Sequence, residues 1–326
     1  MPNNVIRTRQ APAGNLSQEE EKLVSAACYD KIMSNDPSME KEAIDAVNDF
    51  IRWKVREESF LDEILPPLPL ANDELDRQYE SDGNVKIVDI EPDSPGAISV
   101  PLGSSPATYF MRGRRAKVQM DRKETPRYQK DVSSLRTWIM DIRQVISDNI
   151  IKDLHTERDK ALLLAAGRVL GTVGSLNPLT GVAMYQNMPG GIDRNTSIDM
   201  LKITADTPFS IETKTVLTNH ITIKDFAKLD RQEFGGDLAE SVMKTGVGAL
   251  EGLLGLDWIV TIKKTLVPNR NCFLWPHTDF LGKHYQLEPP TMHIKREAFM
   301  LEFFGYEESG MTLIHIGSFG RAYFPG

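Results

Sequence analysis

The chain has 326 residues, enough for one large domain or two ordinary ones, and its formal net charge is −8. This charge argues against a nucleic-acid binder that works by bulk electrostatics, and no apolar run is long enough to cross a membrane. The two cysteines, Cys28 and Cys272, are too few for a thiolate zinc site and indicate no disulfide framework.

The N-terminal part combines a polar arm with two predicted helices. Ser17 is a suitable N-cap for a helix over 17–33, and the acidic residues of its first turn suit the helix dipole. A second predicted helix follows and leads into "SFLDEILPPLP" (59–69), whose prolines stop regular structure. Residues 1–100 hold ten basic and 21 acidic residues, a net charge of −11.

Residues 83–131 consist of short β-like runs broken by glycine and proline, with too few apolar residues for a core of their own. We therefore predict a long β-hairpin or extended loop. Its 112–130 part holds eight basic and two acidic residues, a net charge of +6.

Three interpretations of this basic segment stay open. Contact with an acidic protein surface, on the same or a neighbouring chain, is favoured because the N-terminal part supplies the opposite charge. The alternatives are a solvated hairpin and a nucleic-acid clamp, although nearby aromatic residues are too few for a stacking platform. The candidate contact residues are Arg112, Arg114, Arg115 and Lys117.

From Ser133 to Leu170 the sequence contains no proline and repeats apolar residues at three- and four-residue steps. This pattern predicts one amphipathic helix of about 38 residues, roughly 55 Å long at 1.5 Å per residue. A single helix of that length in a mixed protein typically serves as a spine on which other elements lie.

Residues 172–290 alternate helical and strand-like patterns, which predicts a mixed α/β domain. The predicted helices are 222–233 and 236–253, and the predicted strands are 258–267, 272–276 and 283–288. Two longer strand-like runs, 292–307 and 311–324, close the chain, and Glu308-Ser309-Gly310 between them has good turn chemistry.

"WPHTDF" (275–280) carries the one pattern that suggests catalysis. His277 and Asp279 with the distal His315 follow the order of a facial triad that holds non-haem iron, and Arg321 could pair with a keto acid. Such a triad requires a barrel of many antiparallel strands, whereas long helices precede this motif. We favour a turn between strands, and we expect no metal and no cofactor.

The order of the predicted elements resembles the major capsid protein fold of tailed bacteriophages. Four stretches of the chain are also similar to segments of that family, namely "VREESFLDEILPP", "LRTWIMDIRQVISDNIIKDLHTERDKALL", "LLGLDWIVTIKKTLVPNRNCFLWPHTDFLGKHYQL" and "FMLEFFGYEESGMTLIHIG". None of them is a catalytic signature, so the resemblance implies an α+β structural protein with no enzymatic activity.

The resemblance implies five parts of the chain, in sequence order: an N-terminal arm with helices (1–82), an extension loop or β-hairpin that reaches a neighbour (83–131), the spine helix of a peripheral domain (132–171), an axial domain (172–290), and closing strands at the junction of the peripheral and axial domains (291–326). Because so few residues precede the first predicted helix, we expect scaffolding from a separate protein or from a segment absent here.

The implied function is a shell protein that self-assembles as hexamers and pentamers into an icosahedral capsid around phage DNA. The expected partners are copies of itself, a portal, scaffolding and decoration proteins, with DNA enclosed but not bound by sequence, and no membrane. The expected location is the virion, and the host cytoplasm during assembly. The alternatives are a cellular nanocompartment shell of related fold and a non-haem iron enzyme using His277, Asp279 and His315.

Overall fold

The computed structural model describes residues 56–76, 83–92, 96–105, 108–110, 112–135, 142–226 and 255–325. Within them the helices are α1 (Leu61–Ile64), α2 (Val132–Leu135), α3 (Ile142–Leu170), α4 (Arg194–Ala205), α5 (Thr222–Phe226) and α6 (Thr278–Leu281). The strands are β1 (Leu68–Pro69), β2 (Val85–Ile90), β3 (Arg114–Gln119), β4 (Asp121–Glu124), β5 (Tyr128–Asp131), β6 (Tyr185–Asn187), β7 (Thr215–Asn219), β8 (Asp257–Thr261), β9 (Asn271–Trp275), β10 (Gly282–Glu297), β11 (Met300–Leu313) and β12 (Gly320–Tyr323).

Contacts divide the chain into two compact units. The described residues of the first unit are 56–58, 122–135, 142–157 and 288–307. The second unit contains the described residues of 59–121, 158–287 and 308–326. Helix α3 and the long strands β10 and β11 therefore have residues in both units.

One five-stranded sheet has the order β1-β10-β11-β4, and β5 also pairs with β11. In the first unit, β5 runs antiparallel to β11, with Met300 opposite Asp131 and Phe303 opposite Tyr128. Because side chains alternate along a strand, Leu301 and Phe303 share one face. Both are buried in a cluster with Ile150 and Leu154 of α3.

The core of the second unit lies on a five-stranded sheet with the order β6-β12-β9-β7-β8. Its central strand β9 is buried at every residue, which explains why this part of the sequence is a continuous apolar run. Leu162, Ala166 and Leu170 recur at four-residue steps on α3, so they form one face of the helix, and all three are buried in this core. Met200 and Ile203 of α4 join the same core.

A separate two-stranded antiparallel sheet joins β2 and β3. Val118 and Met120, at the end of this hairpin, are buried in a small apolar cluster with Leu70. Val85 of β2 is also buried and Val88 packs against this cluster, whereas Ile87 and Asp89 are exposed.

The predicted turn at Glu308-Ser309-Gly310 is wrong, because these residues lie inside β11. The chain turns instead at Ala298 and Phe299, between β10 and β11. Ala298 adopts a positive φ of 50°, a conformation for which glycine or asparagine is usually selected in two-residue hairpin turns. The boundaries predicted for the two closing strands are wrong for the same reason.

Other predicted elements correspond to the structure more closely. The helix predicted from Ser133 to Leu170 corresponds to α2 and α3, with residues 136–141 between them outside the described residues. The strand predicted over 258–267 is shorter, since β8 ends at Thr261. The side-chain hydroxyl of Thr261 accepts the backbone N–H of Lys263, and this turn stops the strand.

The helices predicted over 17–33 and 236–253, the second N-terminal helix up to residue 55, and most of 222–233 lie outside the described residues. Within the part of the chain that the structure describes, no helix combines the length and apolar character needed to span a bilayer.

Gly310 is required for close packing and not for a turn. A Cβ atom placed on it would lie 2.2 Å from the carbonyl oxygen of Gln119 and 3.0 Å from the sulfur of Met120. We therefore expect Gly310→Ala to lower the free energy of unfolding by about 1–3 kcal/mol, because backbone must shift to make room. Urea unfolding followed by circular dichroism measures this change.

Gly113→Ala is the matched control. A Cβ at Gly113 meets nothing within 4 Å, so this change should be neutral or stabilise the protein by about 0.4–1 kcal/mol through the unfolded state. Equal unfolding midpoints for the two variants would contradict the close approach at Gly310.

Candidate intersubunit contact surface

The four candidate contact residues lie at the start of β3 and just before it, and all four side chains are exposed. Residues opposite one another in an antiparallel pair share a face. Lys117 therefore shares a face with Ile87, and Arg115 with Asp89, while Arg114 shares the opposite face with Ile90. The structure thus distributes the basic charge over both faces of the hairpin.

Arg115 already has an acidic partner within the hairpin. Its Nε lies 2.9 Å from Oδ1 of Asp89, and the two side chains are 73% and 81% exposed. An ion pair this exposed contributes only about 0–1 kcal/mol. Arg115 can therefore exchange Asp89 for another carboxylate at little cost in free energy.

The loop that connects β2 and β3 exposes large apolar side chains, which sequence reasoning did not select. Leu102 and Phe110 are almost fully exposed, at 107% and 93%, and Ile98 and Tyr109 are more than half exposed. Several large exposed apolar side chains on one connecting loop favour contact with protein. Their spacing in the sequence is irregular, so no periodic signal could have identified them.

The basic residues after Asp121 have a different environment. In the first unit, Nζ of Lys123 lies 3.6 Å from Oε1 of Glu307, and Nη1 of Arg127 lies 3.4 Å from Oε1 of Glu302. Both glutamates are buried on β11. The predicted single basic segment of 112–130 is therefore two groups, one exposed on the hairpin, where Arg115 pairs with Asp89, and one in which Lys123 and Arg127 pair with buried glutamates of β11.

Rings and guanidinium groups also stack across the strands of the first unit. The ring of His293 on β10 is stacked on Phe304 and Tyr306 of β11, with centroid distances of 5.5 and 5.0 Å. The guanidinium of Arg122 lies 4.4 Å from the centre of the Tyr306 ring, and that of Arg127 lies 5.4 Å from Phe304. This cross-strand stack uses Arg122 and Arg127 for internal packing.

The residues of the possible iron triad have separate structural roles. His277 is the N-cap of α6, where its side chain accepts the backbone N–H of Asp279. His315 packs edge-on against Phe209 at 4.4 Å between ring centroids, and burial lowers the pKa of its imidazole below the usual value. Arg321 donates through Nε to Oδ1 of Asn271 at 2.9 Å.

Among the described residues, which include His277, Asp279 and His315, no three His, Cys, Asp or Glu side chains are grouped in a way that could hold a metal. "WPHTDF" forms the end of β9, a short connection and α6, so the expected turn between strands contains one helical turn. The structure does not bring the three residues together as a metal-binding group.

Comparisons with known proteins were informative at the level of structure alone. No protein-family model matches the sequence, and no curated protein matches it. The capsid structure of the cyanophage P-SCSP1u matches with a TM-score of 0.56 and 10% identity, covering 85% of this chain and 91% of that chain. The mature capsid of bacteriophage PhiM1 gives a TM-score of 0.56 at 9% identity, covering 85% and 90%.

A third match is the capsid of an empty GTA particle, with a TM-score of 0.54 and 12% identity over 93% of this chain and 99% of that chain. The chain has the fold of phage capsid proteins. The resemblance to the tailed-phage capsid fold is therefore confirmed, for an α+β chain and over most of its length. At such low sequence identities, the similarity to these structures applies to the fold of the chain.

The metal content of the purified protein tests the remaining iron interpretation. We expect no stoichiometric iron or zinc, because His277 and Asp279 are engaged in a helix cap and His315 packs against Phe209. We expect the double variant His277→Ala, Asp279→Ala to have the same metal content as the parent chain in plasma emission spectrometry. An equimolar metal signal that disappears in the double variant would reverse this conclusion.

Proposed function

We propose that this chain is a structural shell protein, copies of which assemble as hexamers and pentamers into an icosahedral capsid that encloses phage DNA. The observation that supports this proposal is the coverage of the structural matches. Each runs over at least 85% of this chain and at least 90% of the matched capsid chain. A match of both chains nearly end to end is expected of a whole shell subunit and not of a shared small motif.

Under this proposal the parts of the chain take the roles implied by the resemblance. Helix α3 is the spine of the peripheral domain, residues 172–290 form the axial domain, and the closing strands join the two. Residues 1–82 are the N-terminal arm. The hairpin of β2 and β3 is the core of the extension loop, which spans 83–131.

The role is structural and not enzymatic, the location is the virion, and assembly takes place in the host cytoplasm. Portal, scaffolding and decoration proteins are further proposed partners. A net charge of −8 suits a container that encloses DNA without binding its sequence.

The formation of particles in cells that express the chain tests the proposed function. The chain is expressed together with the genes that flank it, and the products are separated by sedimentation and viewed by electron microscopy. We expect closed particles of uniform size that contain DNA. Particles filled with a cargo protein would identify a nanocompartment shell instead, and subunits that never sediment as particles would contradict both shell functions.

We propose that the exposed basic residues Arg112, Arg114, Arg115 and Lys117 contact an acidic surface of an adjacent subunit. Their exposure supports the proposal, as does the exposed pair of Arg115 with Asp89, which can be exchanged at little cost. The apolar side chains of Leu102 and Phe110 are exposed in the same hairpin and would be buried by the same contact.

Reversal of all four charges to Glu tests this contact. Each exposed pair contributes only about 0–1 kcal/mol, but the fourfold variant replaces several attractions with repulsions at every copy of the contact. We expect folded, soluble subunits that do not close into particles at moderate salt. Raising the salt from 0.1 M to 1 M should partly restore assembly, because the Debye length falls from about 10 Å to about 3 Å.

The charge swap Asp89→Arg, Arg115→Glu is the matched control for the hairpin itself. It keeps the ion pair within the hairpin and the net charge, so it should assemble better than the fourfold variant. Full-size particles at unchanged yield from the fourfold variant would exclude the proposed contact. Misfolded subunits would show that these residues dock on their own chain.

A further inference from the structure

Residues 59–65, which we call the strap, are part of the core of the second unit. Phe60, Leu61, Ile64 and Leu65 are each at most 3% exposed and belong to the same buried cluster as Leu162 of α3. Burial of four large apolar side chains is sufficient to hold such a segment against the core. The strap is thus held mainly by apolar contacts.

Apolar contacts alone do not define the register of the strap. Pairs of apolar residues recur along this stretch at a spacing of about four, at 60 and 61, at 64 and 65, and again at 68 and 70. A shift of the chain by four residues would place Ile64, Leu65 and Leu68 at the buried positions of Phe60, Leu61 and Ile64, but it would also place Pro66 and Pro67 within α1 and Pro69 at the position of Leu65. These prolines disfavour the shifted register, and a polar contact that exists in the observed register alone adds to that preference.

Asp159 of α3 supplies a polar contact that fits the observed register. Its carboxylate is fully buried. Oδ1 accepts hydrogen bonds from Oγ of Ser59 at 2.7 Å and from the backbone N–H of Leu61 at 3.0 Å, and Oδ2 accepts one from Nζ of Lys263. After a four-residue shift, the position of Ser59 would be taken by Glu63, a second carboxylate that repels the first.

Neighbouring polar contacts hold the strap in the same register. Arg158, the residue before Asp159 and 2% exposed, donates through Nη2 to Oδ2 of Asp62 at 3.1 Å. Further along, Nδ1 of His284 lies 3.3 Å from the carbonyl oxygen of Leu65. These contacts place a polar group at the start, middle and end of the strap.

Burying the charges of Asp159 and Lys263 costs free energy, which offsets what their attraction contributes to stability. Burial raises the pKa of Asp159 above its usual value, whereas Lys263, Ser59 and the amide of Leu61 act in the opposite direction. Replacing both members of a buried ion pair with apolar residues of similar size is often neutral or stabilising, whereas removing one member leaves a buried charge unpaired. Stability alone therefore does not explain the pair.

We propose that Asp159 and Lys263 form a register latch. The pair reinforces the single register of the strap, and thereby the point at which the preceding chain leaves the second unit. The proposal goes beyond the shell function and does not depend on it, because it concerns the conformation of a single subunit.

A hydrogen bond outside the strap can be used to measure the register of the strap. The backbone N–H of Leu70 donates to the carbonyl oxygen of Gln286 at 2.9 Å, and β1 pairs with β10 through Leu68 and Tyr285. A shifted strap would break this pairing. Residues 66–70 are "PPLPL", and proline has no N–H, so hydrogen exchange in this stretch arises from Leu68 and Leu70 alone.

The test is the double variant Asp159→Leu, Lys263→Met, measured as the full chain in unassembled form. Hydrogen exchange of the 66–70 stretch is followed by mass spectrometry, and stability by urea unfolding. Because the variant also leaves the N–H of Leu61 and the hydroxyl of Ser59 without their acceptor, we expect a lower unfolding midpoint, with exchange at least tenfold faster than this loss of stability accounts for. Unchanged exchange would overturn the proposal. Faster exchange with a proportionally lower midpoint would also overturn it, because the pair would then only stabilise the fold.

Two further variants make the test secure. Arg56→Met, Asp153→Leu removes a partly exposed ion pair between the same helix and the chain just before the strap, and it should leave exchange of 66–70 unchanged. Ser59→Ala keeps both charges and removes only one hydrogen bond to Asp159. It is therefore a milder change, on which the same measurement can be made if the double variant does not fold. Ser59→Ala should accelerate the exchange severalfold, and parent-like exchange in this variant would overturn the latch.

Discussion

The burial of one row of side chains on α3 is the constraint on which the rest of the structure depends. Ile150 and Leu154 enter the core of the first unit, and Leu162, Ala166 and Leu170 enter the core of the second. These residues follow a four-residue step, and the only position in the row that is not apolar is Arg158. One helix thus supplies both cores, and the buried charges of Arg158 and Asp159 lie where the chain passes from one unit to the next.

Features that depend on local pattern could be predicted from the sequence. The long apolar row without proline predicted the region of α3, and the continuous run "CFLW" predicted the buried strand β9. The turn between β10 and β11 could not be predicted, because Ala298 and Phe299 are not typical turn residues. Gly310 was misinterpreted because a glycine required by the approach of a distant backbone looks the same in sequence as a glycine required by a turn.

The candidate site was predictable only as a charge pattern. The sequence locates the basic residues but does not show that Lys123 and Arg127 face Glu307 and Glu302, because those partners are distant along the chain. The exposure of Leu102 and Phe110 was equally hidden, since it depends on how the described elements fold around them and not on the identity of neighbours in sequence. The positions of the charged residues could therefore be predicted from the sequence, whereas the ion pairs between residues distant in the chain could not.

The length of the paired strands has a mechanical consequence. β10 has 16 residues and β11 has 14, and the two are neighbours in one sheet. Tension along such strands loads many interstrand hydrogen bonds in shear, so that they must fail together, whereas tension across the sheet would open them one by one. The stack of His293, Phe304 and Tyr306 adds resistance in that second, weaker direction. Under the proposed shell function, a wall built from this chain would therefore stretch least along these long strands, and its stiffness would depend on the direction in which it is pulled.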